Sequence, residues 1–233
     1  MQPATMQSTS QVAVNSFIRS VYNWMAIGLA LTGFISFYVA GNETILRLVF
    51  GNKLIFFGLI IGELALVYSI SAKIDKIQAS TATSLFVLYA ALNGVTLASI
   101  FLIYTMESIA STFFICAGMF TCCSIYGYVT KKDLTSVGSF MIMGLIGIII
   151  ASVINIFIQS SIMSMIISYV GVLIFVGLTA YDTQKIKQMS LSQPAGLDAS
   201  VIRKGAIIGA LTLYLDFINM FLFLLHIFGG SRD

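Results

Sequence analysis

The sequence predicts an all-α integral membrane protein with seven transmembrane helices. Of the 233 residues, 58% are hydrophobic and only 9% are charged, and the mean hydropathy is +0.99. A soluble domain carries roughly 25% charged residues. Both prolines, Pro3 and Pro194, lie outside the long apolar runs, so helices of bilayer length go uninterrupted. A spanning β-barrel would alternate polar and apolar residues instead.

A span needs about 20 apolar residues. Seven runs reach that length, at 21–40, 54–72, 83–104, 109–130, 137–158, 163–187 and 203–228. The first follows a polar segment, residues 1–20, and Gln11 to Tyr22 could form an amphipathic approach to it. ETILRLVF, residues 43–50, reads as a short interfacial segment. The second run carries Glu63 near its middle. The third and fourth are separated by only a few residues around Glu107. The fifth sets Gly144, Gly147, Ala151 and Asn155 on one face, a packing seam of small residues. The sixth ends in TAYDTQKIK. The longest connection, MSLSQPAGLDAS, leads to the seventh, with Asp198 placed to cap it. Residues 21–230 thus read as one seven-helix domain.

Lys and Arg counts set orientation. Nine of the twelve basic residues, Arg19, Lys73, Lys76, Lys131, Lys132, Lys185, Lys187, Arg203 and Lys204, fall on one side; Arg47, Lys53 and Arg232 fall on the other. A cytoplasmic N-terminus is expected. Were the seventh run re-entrant, the count would be ten against two, so the rule leaves that geometry open. The first 18 residues hold no Lys or Arg, and the first apolar run is too long for a signal peptide, so no cleavable leader is expected. Cys116, Cys122 and Cys123 share one apolar run, without zinc or redox spacing, and read as packing residues.

The acids inside the apolar runs point to function, because an ionised carboxylate in hydrocarbon is expensive. In the seventh run Gly205, Gly209, Thr212, Asp216, Asn219, Phe223 and His226 fall within an arc of roughly 100°. An apolar helix with one polar stripe suits the centre of a bundle. Thr212 and Asn219 are read either as helix-to-helix hydrogen-bonding residues or as parts of an ion path. Asp182 sits at the end of the sixth run, either at the interface or one turn inside it with its lysines snorkelling outward. Asp216 lies 13 residues beyond Arg203, about 20 Å along an ideal helix. The two aspartates then differ in depth by about two turns unless tilt brings them together. If they meet, they cannot both ionise cheaply and would share a proton. A cation could also enter between them, and hard oxygen ligands favour Ca²⁺. Glu63 is a third acid, a stop on an ion path or a hydrogen-bonded structural group. Asn93, Thr96 and Asn155 read as interhelical hydrogen-bonding residues.

Catalysis is not expected. His226, the one histidine, reads as interfacial and cannot build a zinc site alone. No Ser/His/Asp order, nucleotide loop or HExxH occurs. An intramembrane aspartyl protease would also use two aspartates, but Asp216 lies in LYLDFIN and lacks the glycines of a GxGD motif. No cofactor and no nucleic-acid partner are expected.

TAYDTQKIK and GALTLYLDFINMFLFLLHIFG, with NWMAIGLALTGF and TFFICAGMFTCCSIYGYVTKKDL, resemble the Bax inhibitor-1 family (transmembrane Bax inhibitor motif), in its short bacterial inner-membrane form. The likeness runs from about Tyr22 to Phe228, and YDTQ and LYLDFIN are its most specific parts. It implies six helices around a central seventh. It also implies that Asp182 and Asp216 form a proton-sharing sensor gating a Ca²⁺ leak, and that Glu63 is the acid of the second span. In one member of the family this chain resembles, an arginine near the end of that span is tied to the latch. Here Lys73 and Lys76 stand nearby, and lysine lacks arginine's planar fork. The leading expectation is a pH-sensitive Ca²⁺-permeable channel or leak in the bacterial cytoplasmic membrane, with the bilayer, Ca²⁺ and protons as partners. The alternative is a regulator of a membrane-bound ATP-dependent protease or another membrane protein, acting through the polar N-terminal segment. A proton-coupled solute transporter is a third class and would need a sizeable substrate cavity.

Overall fold

A computed structural model describes residues 3–192 and 198–230. Among them there is no β-strand, and seven helices are long and apolar enough to cross a membrane: Val14–Ala40, Lys53–Lys73, Ala79–Ile103, Met106–Val129, Thr135–Ile158, Ser161–Leu191 and Ala199–Phe228. Six begin within about one turn of the expected runs and the first begins earlier. Pro194 and Arg232 lie outside the described residues.

In chain order the helices are α1 (Pro3–Ala40), α2 (Glu43–Phe50), α3 (Lys53–Lys73), α4 (Ala79–Leu97), α5 (Ile100–Ile103), α6 (Met106–Val129), α7 (Thr135–Ile158), α8 (Ser161–Leu191) and α9 (Ala199–Phe228). α1 continues without a break through the polar segment ahead of the first run. The short segment at 43–50 is helical, and the Asn42 side chain accepts from the Thr44 and Ile45 amides at its start. Glu107 falls inside the first turn of α6, capped by Thr105, rather than in the preceding connection. Asp198 caps α9 as expected, accepting from the Ser200 amide at 3.1 Å.

The third span differs from its prediction. It is broken at Ala98 and Ser99, with α5 resuming at Ile100. The Ser99 hydroxyl takes the Thr96 carbonyl at 3.0 Å, and the Ala98 amide turns to Val95. Hydroxyls that bond nearby carbonyls compete with the helical ladder, which gives the break a local cause without proline.

The chain forms two compact units, residues 1–103 with 189–214, and 104–188 with 215–233. In the first, α1 packs on α4 and α4 on α3. Tyr214 stands edge-on to Phe86 and Tyr89, at 5.9 and 5.6 Å between centroids. In the second, the Phe217 ring meets Phe113 and Phe120 edge-on, both at 5.5 Å. α9 lends its first half to one unit and its second half to the other. It is also the most enclosed span: 67% of its apolar window is buried, against 6% for α3 and for α7. The polar-striped helix is therefore inside, and α3 and α7 offer apolar side chains such as Leu54 and Phe157 to lipid.

Candidate functional site

In the second unit the acids of interest are Asp216 on α9 and Asp182 on α8. Asp216 is only 4% exposed, and its Oδ2 has no hydrogen-bond partner among the described residues. Burying a carboxyl oxygen without a partner costs about 1–3 kcal/mol, and more if it is charged. Asp182 is partly buried. Its charge acts on Asp216, and the Lys185 charge acts on Asp182. No hydrogen bond joins the two carboxyls among the described residues.

Asp182 is held by its neighbours in YDTQ. A Cβ on Gly138 would strike the Tyr181 ring at 2.5 Å, so α7 crosses directly over that ring. Thr183 donates to the Ser124 hydroxyl at 3.3 Å. Gln184 accepts from the Leu134 amide at 2.9 Å and donates to the Lys132 carbonyl at 2.8 Å. Two residues before Asp182, a Cβ on Gly127 would lie 2.1 Å from the Ala180 carbonyl, so α6 and α8 touch backbone to backbone. Lys187 does not merely snorkel: its Nζ donates to the Tyr128 carbonyl at 2.6 Å and lies 5.0 Å above that ring. A cation there suits the C-terminus of α6. Three of the four YDTQ side chains therefore anchor α8, and Asp182 alone is left for chemistry. Sequence reasoning missed the roles of Gln184 and Lys187; the short α6–α7 connection, with several backbone groups to satisfy, was the available signal.

The other stripe residues behave more simply. Thr212 donates to its own helix at the Ile208 carbonyl, 3.1 Å, and Asn219 to the Leu215 carbonyl, 2.8 Å. These bonds tie neither residue to another helix. His226 is exposed at the end of α9. It borders a cavity of about 510 Å³ lined by Ser152, Asn155, Gln159 and Phe223 among others. Asn155 holds the α7–α8 turn there, through the Ser160 backbone and the Ser164 hydroxyl. The seam of α7 is only partly a contact: a Cβ on Gly144 would meet Ile174 of α8, while Gly147 has nothing within 4 Å.

In the first unit Glu63 is bonded on both oxygens. Thr96 donates to Oε1, and Asn93 Nδ2 lies 3.4 Å from Oε2. Behind Asn93 stands Tyr214, whose hydroxyl donates to Asn93 Oδ1 at 3.0 Å and lies 2.7 Å from the Thr32 hydroxyl. Tyr214 was not among the expected site residues; an O–H on a buried aromatic, which seeks a partner, was its only signal. Among the described residues no three His, Cys, Asp or Glu side chains converge as a metal site.

Residues 14–233 match the family model described as inhibitor of apoptosis-promoting Bax1. The chain is 50% identical over 222 residues to the inner membrane protein YbhL of Escherichia coli K12, covering 95% of this chain and 94% of that protein. It is 45% identical to an uncharacterized protein of Borreliella burgdorferi, covering 98% of each chain. A membrane protein of Streptococcus pyogenes, also uncharacterized, is 36% identical, with 99% of this chain and all of that one covered.

Proposed function

The chain belongs to the Bax inhibitor-1 family, and from that premise we propose that it is a pH-sensitive, Ca²⁺-permeable leak of the bacterial cytoplasmic membrane, gated at Asp182 and Asp216. It works without enzymatic turnover and with its N-terminus in the cytoplasm. One observation carries this reading: Asp216 is buried inside a membrane-spanning helix with an unpartnered carboxyl oxygen, and the charge of Asp182 acts on it. A proton or a cation supplies the missing partner.

With one of the two carboxyls protonated, the pair carries a single charge and α8 and α9 stay together. Without it, two like charges in a poorly solvated place repel, and the helices part or admit a cation. Ca²⁺ takes six to eight oxygen ligands. Two carboxylates supply at most four, so water must complete the shell. Ca²⁺ held in this way is in transit rather than resident.

Reconstituted in proteoliposomes, the wild-type protein should pass Ca²⁺ at a rate that changes with pH. Asp216→Asn and Asp182→Asn should each flatten that dependence, because an amide cannot exchange the proton. Wild-type flux and an unchanged pH response in both variants would end the proposal.

A further inference from the structure

The Glu63 cluster contains a mismatch between hydrogens and contacts. Three short contacts involve two hydroxyl oxygens. Thr32 Oγ1 lies 2.8 Å from the Ala90 carbonyl and 2.7 Å from Tyr214 Oη, and Tyr214 Oη lies 3.0 Å from Asn93 Oδ1. Two hydroxyls bring two hydrogens. With Asn93 Oδ1 turned toward Tyr214, one of the three contacts always lacks a donor.

Turning the Asn93 amide over removes the shortfall. Its two ends are nearly the same shape, so the turn needs no repacking. Nδ2 then donates to Tyr214, Tyr214 donates to Thr32, and Thr32 donates to Ala90. All three contacts are satisfied, but Oδ1 now faces Glu63 Oε2 and needs a hydrogen from it. The chain is thus complete in one direction when Glu63 carries a proton on Oε2. When Glu63 is ionised it runs the other way, with Nδ2 donating to the carboxylate. Hydrogen-bond chains of this kind polarise together.

We propose that Tyr214, backed by Thr32, is a positioning residue that sets the direction of the Asn93 amide, and with it whether Glu63 meets a donor or an acceptor. Glu63 is then a proton station on α3 whose state is transmitted to α1 and α9 through Asn93. The inference builds on reading Glu63 as an acidic stop of the leak. Thr32 and Tyr214 are both buried, so bulk water does not easily replace either partner. The titratable groups that feel the Glu63 charge are Tyr89 on α4 and Tyr214 on α9. No salt bridge reaches Glu63 among the described residues; the exposed Glu43 and Arg47 of α2 pair with each other. A competing route exists inside the cluster. The Thr96 hydroxyl faces both Glu63 and the Leu92 carbonyl, so a proton on Oε1 could be accommodated there without turning Asn93.

Infrared difference spectra of the purified protein, recorded across pH with isotope-labelled tyrosine, separate these cases. The wild type should show a carboxyl band, lost in Glu63→Gln, and a tyrosine band that changes with it. The tyrosine band should vanish in Tyr214→Phe and in Glu63→Gln but persist in Tyr89→Phe. The carboxyl band should survive in Tyr214→Phe with its frequency shifted, which also shows that this variant folds. A carboxyl band that titrates with no tyrosine change assigns the proton to the Thr96 side and overturns the proposal. A tyrosine band that persists in Glu63→Gln, or no titrating Glu63 band at all, overturns it too. None of these readouts needs Ca²⁺ flux, so their failure is separable from failure of the Asp182–Asp216 gate.

Discussion

At Asp216 the requirements of stability and of function conflict. A carboxyl with one unpartnered oxygen, buried at 4% exposure, is a strained choice for a helix interior. Replacing buried polar groups by apolar ones of similar shape is often neutral or stabilising. Asp216→Leu should therefore unfold at a higher temperature in detergent while losing pH-dependent Ca²⁺ flux; a lower melting temperature would mean that the carboxyl has a structural partner. Gln184 is the opposite case. Gln184→Leu leaves the Leu134 amide and the Lys132 carbonyl without their partners, at about 1–3 kcal/mol for the buried Leu134 amide and less for the carbonyl of the exposed Lys132, which water can reach. Amide exchange at Leu134 should accelerate, and unchanged exchange would refute the clamp. Asp133, outside the spans, accepts from the Thr135 hydroxyl and amide, which hold its carboxyl below the usual range. Its folded value is depressed, so the turn is supported above the ordinary aspartate range and loses that support as pH falls through the lowered value. Exchange at the Thr135 amide, corrected for intrinsic pH dependence, should rise only in strong acid.

Between helices, glycine separates true contacts from mere pattern. Gly127→Ala puts a Cβ 2.1 Å from the Ala180 carbonyl, and the nearest atoms are backbone that cannot step aside. Overpacking typically costs about 1–3 kcal/mol, so the melting temperature should drop by several degrees. Gly118→Ala on the same helix meets nothing within 4 Å and should hold or gain stability through helix propensity. Equal effects of the two substitutions would contradict the close α6–α8 crossing. Such contacts were only partly legible in the sequence. That α9 is enclosed was readable, because a polar stripe on an apolar helix is costly against lipid, but the stripe is the helix's less covered side: Gly209 and Asp216 are buried, Thr212, Asn219 and Phe223 half-buried, and His226 exposed. Gly144 and Gly147 carried the same signal on α7, yet only one of them touches α8, since spacing names a face but not its neighbour. The break at Ala98 and Ser99 was hidden: no proline or glycine marks it, and hydroxyl-to-carbonyl bonds made it. Lys187 looked like a snorkelling lysine because its target, the Tyr128 carbonyl, is 59 residues away in the chain.

Across the whole molecule, charge distribution predicts which ends of the helices face the cytoplasm. In a cysteine-free background, a membrane-impermeant maleimide applied to intact cells should label Gln159→Cys, in the exposed α7–α8 turn, and leave Lys131→Cys unlabelled. The reverse pattern would invert the topology. Composition and run length were enough to place all seven spans, because the bilayer imposes one length on every helix. The relation of Asp182 to Asp216 was not readable, since it depends on tilt and on how Gln184 and Lys187 fix α8. The enclosure of α9 has a further consequence for biosynthesis. An aspartate near the middle of a segment costs about 2.5–3.5 kcal/mol at the translocon, against about 0.3–0.6 kcal/mol gained for each leucine or isoleucine. α7, which has no charged residue, can leave the translocon for lipid by itself. α9 emerges from the ribosome last of the seven, carrying Asp216, and is better received by helices already waiting in the membrane than by lipid. A reporter fused after isolated α9 should cross less efficiently than one fused after Asp216→Leu, and the difference should shrink when the preceding helices are present.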